Sequence, residues 1–165
     1  MNETMIKTKQ YASYLTFKLG KEHFALNVGN VINILEMQSF TKIPKSPKYL
    51  TGMVNLRGEV LPVIDTNVKL GFDSTEITFN TCILVIETTL ANTKLKFGIL
   101  VDSVQEVLEF DNAKILPPPV LGDSLDTKVI SGLIEQEDEF IMILDIQEFL
   151  ESNEILNIQK LHKKL

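Results

Sequence analysis

The chain has 165 residues, 44% of them apolar, enough to build a packed core and therefore inconsistent with a disordered tail or linker. Sixteen basic against 22 acidic residues leave a net charge of −6, which disfavours nucleic acid, whose affinity comes from phosphate neutralisation and counterion release. The one cysteine, Cys82, cannot close an internal disulfide, and no apolar stretch approaches the roughly 18 residues of a membrane helix, so a soluble, cytoplasmic protein is expected.

Residues 1–12 carry charges with no apolar run behind them and read as a tail rather than a signal peptide. From Tyr14 onward come short β-rich runs separated by turn residues: YLTFKLG, HFALNV, INILEM, GMVNLRG and EVLPVID. Thr66 to Leu70 follows as a short helix. The same order then returns as TCILVIET, KLKFGILV, VQEVLEF, VISGLIE and EFIMILDI. Cys82, within the first of these, reads as a buried strand residue rather than a nucleophile or metal ligand. The segment PPPVLGDSLDTK between the third and fourth runs must be loop, because consecutive prolines lack N–H donors. A last segment, 151–165, places Ile155, Ile158, Leu161 and Leu165 on one helical face, with Asn153 as cap and Lys160, Lys163 and Lys164 near the C-terminal end.

The repetition holds at constant spacing in two blocks. Phe24, Val28, Val31, Ile34, Glu36, Ile43 and Pro44 match Phe97, Val101, Val104, Val107, Glu109, Leu116 and Pro117 at 73 positions (97 − 24). Gly52, Glu59, Val60, Val63, Ile64 and Asp65 match Gly132, Glu139, Phe140, Ile143, Leu144 and Asp145 at 80 positions (132 − 52). These offsets predict an all-β fold of two pseudo-symmetric five-stranded β-barrels, about 13–75 and about 80–146, with short helices and a C-terminal helix. A lone half of that size buries little core, so the barrels should pack together as one unit over 13–150, with strand or tail exchange between them allowed.

No catalytic constellation is evident. His23 lies in an expected strand and His162 in a basic tail, neither beside a cysteine or aspartate pattern, so both read as surface or structural. Asp65, Asp102 and Asp145 each end an apolar strand and could be assembled into a metal-dependent hydrolase; since Asp65 and Asp145 are repeat equivalents before helical turns, capping is the simpler reading. The eight glycines are scattered, so no phosphate-binding loop is indicated; Gly52, Gly58, Gly98 and Gly132 are expected where strands begin or turn. No cofactor and no metal is expected. Small barrels raise an oligonucleotide-binding alternative, which lacks a basic stripe and exposed stacking aromatics.

The stretch YLTGMVNLRGEVLPVIDTNVKLG resembles the most recognisable segment of CheW-like domains, the coupling proteins of bacterial chemotaxis. YLTFKLGKEHFALNVGNVINILE, FGILVDSVQEVLEF, the LPPP run and ISGLIEQEDEFIMILDIQEFL follow that family's landmarks in order, covering about Ser13 to Leu150. The resemblance implies two packed barrels and a non-enzymatic adaptor. An apolar groove would take the cytoplasmic hairpin tip of a methyl-accepting chemoreceptor, and a barrel end would contact the regulatory domain of a CheA-type histidine kinase. It also implies recruitment to membrane-associated receptor arrays without membrane insertion; a scaffold of a non-flagellar chemosensory pathway is the alternative. At this length no fused receiver or kinase domain is expected.

The residues expected at partner surfaces are Val28, Val31 and Ile34 with Val104 and Val107, because this short crossover alternates poorly and should not bury every side chain; the same residues would serve equally as core. Arg57, in the NLRG turn, offers a forked donor held out on a rigid support, with a local salt bridge as the competing use. Asn33 is neutral where many CheW-like domains carry an acidic residue, so it offers no charge for an ion pair.

Overall fold

The computed structural model describes residues 10–118 and 128–150. The expected C-terminal helix, the cap Asn153, His162 and most of the proline-led loop lie outside them. Ten strands are present among the described residues: β1 (Tyr11–Leu19), β2 (Glu22–Asn27), β3 (Val31–Glu36), β4 (Leu50–Leu56), β5 (Glu59–Asp65), β6 (Cys82–Leu90), β7 (Thr93–Val101), β8 (Ser103–Asp111), β9 (Ile130–Gln136) and β10 (Glu139–Leu144). Two one-turn helices, α1 (Thr66–Lys69) and α2 (Ile146–Phe149), follow β5 and β10. No described helix is long and apolar enough to cross a membrane.

The strands form two five-stranded sheets, ordered β8-β1-β2-β10-β9 and β3-β6-β7-β5-β4. The orders correspond strand for strand when β1–β5 are matched with β6–β10, which is the duplication seen in the offsets. Neither sheet is contiguous in sequence: β1 and β2 join β8, β9 and β10, while β6 and β7 join β3, β4 and β5. Each repeat thus donates its first hairpin to the other's sheet through a parallel seam, β2 on β10 and β5 on β7.

Each sheet also curls until its edges meet. After β3 the chain returns to β4, Thr41 and Met53 exchanging both backbone bonds at 2.9 and 2.8 Å; after β8, Leu116 and Leu133 do the same at 2.9 Å each. These single bridges lie beyond the ends of β3 and β8, whose own outer edges stay unpaired. The bridges correct one expectation: the counterpart of Leu116 is Thr41, 75 positions away (116 − 41), not Ile43. The extra residues after β8 accommodate the 3-10 turn Asn112–Lys114.

Alternation along the strands fills three cores. Within the β4–β5 barrel lie Val54, Leu61, Val63, Ile83, Val85 and Leu100. Within the other lie Tyr14, Ala25, Ile134, Ile141 and Ile143. Between the two sheets sits the largest cluster, where Leu15, Phe17, Phe24 and Leu26 from one meet Leu84, Ile86, Phe97 and Ile99 from the other, with Phe17 and Phe24 stacked at 5.9 Å. Gly98 departs from its expected role: it stands mid-strand in β7, and a Cβ there would come within 2.7 Å of Ile83 Cγ2 and 3.1 Å of Val63 Cγ2. The barrel is too narrow at that level for any side chain, and its repeat equivalent is the small, fully buried Ala25.

Candidate functional site

β3 and β8 are the free-running edge strands of the two sheets, each paired on one side along its length, to β6 and to β1. β3 alternates: Val31, Asn33 and Leu35 are half-buried, while Ile32, Ile34 and Glu36 face outward. Two isoleucines on a solvent-facing strand surface are unfavourable in a free monomer, and 47% of each is exposed. Across from them, Val107 of β8 is 59% exposed, and Val28 of the turn between β2 and β3 is 37% exposed. These side chains line a groove of about 380 Å³ whose floor is the buried Leu15 and whose wall includes Val31 and Asn33.

The groove gathers five of the seven residues singled out in the sequence: Val28, Val31, Asn33, Ile34 and Val107. Val104 is not among them; it is half-buried and packs against the central core. Arg57 is not among them either. Ile32 lines the groove and was missed, because the segment was expected to alternate poorly, whereas β3 alternates regularly and turns Ile32 outward with Ile34.

The walls are held by local hydrogen bonds rather than charges. Gly29 N donates to Asn27 Oδ1 at 2.8 Å and the Asn30 amide reaches Glu87 O at 3.5 Å, which fixes the turn that carries Val28. The Asn33 carboxamide accepts from Ile34 N at 2.8 Å, so this neutral side chain is directed to its own backbone. Among the described residues no charged side chain lines the groove.

Arg57 occupies the two-residue turn of the β4–β5 hairpin with φ 53°, a left-handed conformation more natural to glycine or asparagine, and Gly58 follows at φ 86°. Asn55 Oδ1 accepts from Gly58 N at 2.7 Å and stiffens the turn. Among the described residues no acidic side chain pairs with Arg57, so its guanidinium is presented to solvent.

Two of the three strand-ending aspartates, Asp65 and Asp145, are capping groups. Asp65 accepts from Asn67 N and Val68 N at the start of α1, and Asp145 from Gln147 N and Glu148 N at the start of α2. Asp65 additionally receives Thr75 N at 3.0 Å and Thr75 Oγ1 at 2.7 Å, which ties down the segment after α1. Asp102 accepts from Gly20 N and, at 3.1 Å, from the Asn67 amide. Asp65 and Asp145 belong to different sheets, and among the described residues no three His, Cys, Asp or Glu side chains are grouped to hold a metal ion. Burial pushes the Cys82 thiol above its ordinary pKa, the reverse of nucleophile activation. His23 is half-buried, its Nδ1 2.8 Å from Gln105 Oε1 and its Nε2 3.5 Å from Glu139.

Comparison with known proteins places these features in one context. The CheW-like domain matches residues 13–154. The chain is similar to the chemotaxis protein CheW of Klebsiella aerogenes, 30% identical over 152 residues, covering 90% of this chain and 89% of that protein. It is 31% identical over 138 residues to the chemotaxis protein CheW of Bacillus subtilis, covering 83% and 85%. Its structure superposes with a TM-score of 0.75 on the scaffolding protein TtCheW from Thermoanaerobacter tengcongensis, at 29% identity over 87% of this chain and 95% of that one.

Proposed function

The chain belongs to the CheW-like family, and on that premise we propose that it is a non-enzymatic adaptor of chemotaxis signalling that couples chemoreceptors to a CheA-type histidine kinase. The observation that carries this reading is the β3–β8 groove. A receptor's cytoplasmic hairpin tip is a rigid helical rod, and an apolar groove without charged lining accepts apolar side chains of such a rod with no unpaired charge left to desolvate. Val28, Val31, Ile32, Ile34 and Val107 are the residues proposed to receive it.

Arg57 is proposed to serve a partner from a separate surface. Held in a two-residue turn, its backbone is already fixed, so only the side chain's own freedom is lost on capturing a carboxylate or carbonyl of the kinase regulatory domain. An adaptor needs two surfaces and no chemistry between them. The engagement of Asp65, Asp102 and Asp145 in structural hydrogen bonds supports a non-catalytic role. Placement in the cytoplasm, drawn to receptor arrays by its partners, follows from the same role.

Titration of the isotope-labelled chain with a receptor hairpin-tip fragment, followed by methyl NMR, tests the groove. Shifts concentrated at Val28, Ile32, Ile34 and Val107 are expected. Binding that leaves these methyls unmoved would sink the assignment.

A further inference from the structure

The two edge strands of the groove are equivalent in the repeat but are protected differently. The two-residue turn Ala91–Asn92 closes the β6–β7 hairpin at Leu90 and Thr93, so by alternation Leu84 directs its backbone groups to Ile99 of β7. Its neighbours Ile83 and Val85 therefore face β3, opposite Leu35 and Asn33, and the N–H and C=O of Ile34 point away from the sheet. The turn Gly20–Lys21 imposes the same order on β1, where Thr16 Oγ1 donates to Glu106 O at 3.0 Å and accepts from Glu106 N at 3.1 Å, leaving Val107 facing out. Ile34 lies in the middle of VINILE, in which four of six residues are branched aliphatics, proline is absent and the one charge is Glu36. An unpaired edge of that composition is a template for another extended segment. β8 carries Glu106, Glu109 and Asp111 and no basic residue, so carboxylates guard its edge. Asn33 is the equivalent of Glu106 (106 − 33 = 73), yet it is a neutral amide whose Oδ1 accepts from Ile34 N at 2.8 Å.

We infer that Asn33 determines which kind of partner the groove admits: its carboxamide occupies the outward N–H of Ile34 and closes the β3 edge to extended segments, while leaving the wall uncharged for a helical one. The inference rests on the receptor-tip reading of the groove, because a carboxylate at this position is costly only where a partner must desolvate the wall that Asn33 shares with Ile32 and Ile34. The backbone bonds of a helix are satisfied within the helix, so a helical partner has no use for the edge and loses nothing by its closure. An incoming strand must take the N–H of Ile34 for its own carbonyl, and finds it already bonded. The two edges thus use two devices: charge on β8, away from the groove wall, and a self-bonded neutral amide on β3, where charge would spoil the wall.

Amide hydrogen exchange and thioflavin T fluorescence of the free, full chain are the test. Asn33→Leu keeps the size of the side chain without its acceptor. It should speed exchange at Ile34 about fivefold, as expected for the loss of one hydrogen bond, and should form thioflavin T-positive assemblies that the wild-type chain does not. Asn33→Asp retains an acceptor in the same place and should match the wild type in both measurements. Adding Ile34→Pro to Asn33→Leu removes the outward N–H without touching the β3–β6 ladder, and should abolish the assemblies. Circular dichroism establishes that each variant is folded, and Asn33→Ala, the least disturbing removal of the acceptor, repeats the exchange measurement. Unchanged exchange at Ile34 without the acceptor, a folded Asn33→Leu chain that forms no assemblies, assemblies formed equally by Asn33→Asp, or assemblies that survive the proline would overturn the inference. None of these readouts involves a receptor, so failure of the hairpin tip to bind would sink the receptor reading by itself.

Discussion

Ile34 and Val107 occupy the same position in the two repeats and face the same groove. Ile34 pairs with Leu84 across β3 and β6, and Val107 pairs with Leu15 across β8 and β1. Leu84 and Leu15 correspond in turn, each paired with an equivalent residue, Ile99 or Leu26, on the next strand. The pseudo-two-fold therefore brings one outward apolar position from each repeat to the line where the sheets meet, and neither repeat alone could form the groove.

Placing a charge on that line should separate binding from folding. Ile34→Glu and Val107→Glu alter exposed side chains, so each is expected to change stability by no more than about 0.5 kcal/mol. Receptor-tip affinity should fall at least about tenfold for either, as burying an unpaired carboxylate costs more than about 1.4 kcal/mol. Isothermal titration calorimetry beside urea unfolding measures both quantities. Ile32→Ser should weaken binding in the same direction, by less.

Arg57 gives a prediction with opposite signs. Replacing it with glycine removes the strain of a side chain at φ 53°, so Arg57→Gly should be stabilised by up to about 1 kcal/mol. Kinase capture should nonetheless weaken, because the guanidinium is lost. A drop in Tm together with unchanged capture would reassign Arg57 to the fold.

Gly98→Ala should be among the costliest small substitutions. The added methyl meets Ile83 and Val63 inside a closed barrel, and overpacking of this kind costs about 1–3 kcal/mol. Chemical denaturation would register it as a lower midpoint. A neutral result would mean the barrel widens more easily than its packing implies.

The two capping aspartates should differ. Asp145→Ala removes bonds to two backbone N–H groups and should cost about 1 kcal/mol. Asp65→Ala also releases Thr75 N and Oγ1 and should cost clearly more, with the segment after α1 gaining hydrogen exchange. Equal losses would show that the Thr75 bonds contribute nothing.

Much of this was legible in the sequence because β-structure writes alternation and repetition directly into residue order. The offsets of 73 and 80 exposed the duplication, and the ten apolar runs fall on the ten strands. The partition of strands between sheets was not legible, since a repeat fixes which strands correspond and leaves open which copy each one pairs with. Val104 was grouped with Val107 on the expectation that this crossover alternates poorly, yet it packs on the central core while Val107 faces the groove; nearness in sequence does not report the face. Gly98 looked like punctuation because its constraint comes from Ile83 and Val63, which are distant in sequence. Ile32 was hidden by the same expectation, and only the three-dimensional approach of β3 to β8 gives it a place in the groove.

The adaptor claim is tested most directly by co-sedimentation of a CheA-type kinase with receptor-containing membranes, in the presence and absence of this chain. The account predicts that the chain sediments with the membranes and carries the kinase down, and that Ile34→Glu with Val107→Glu abolishes both. A folded wild-type chain that retains neither receptor nor kinase would contradict it.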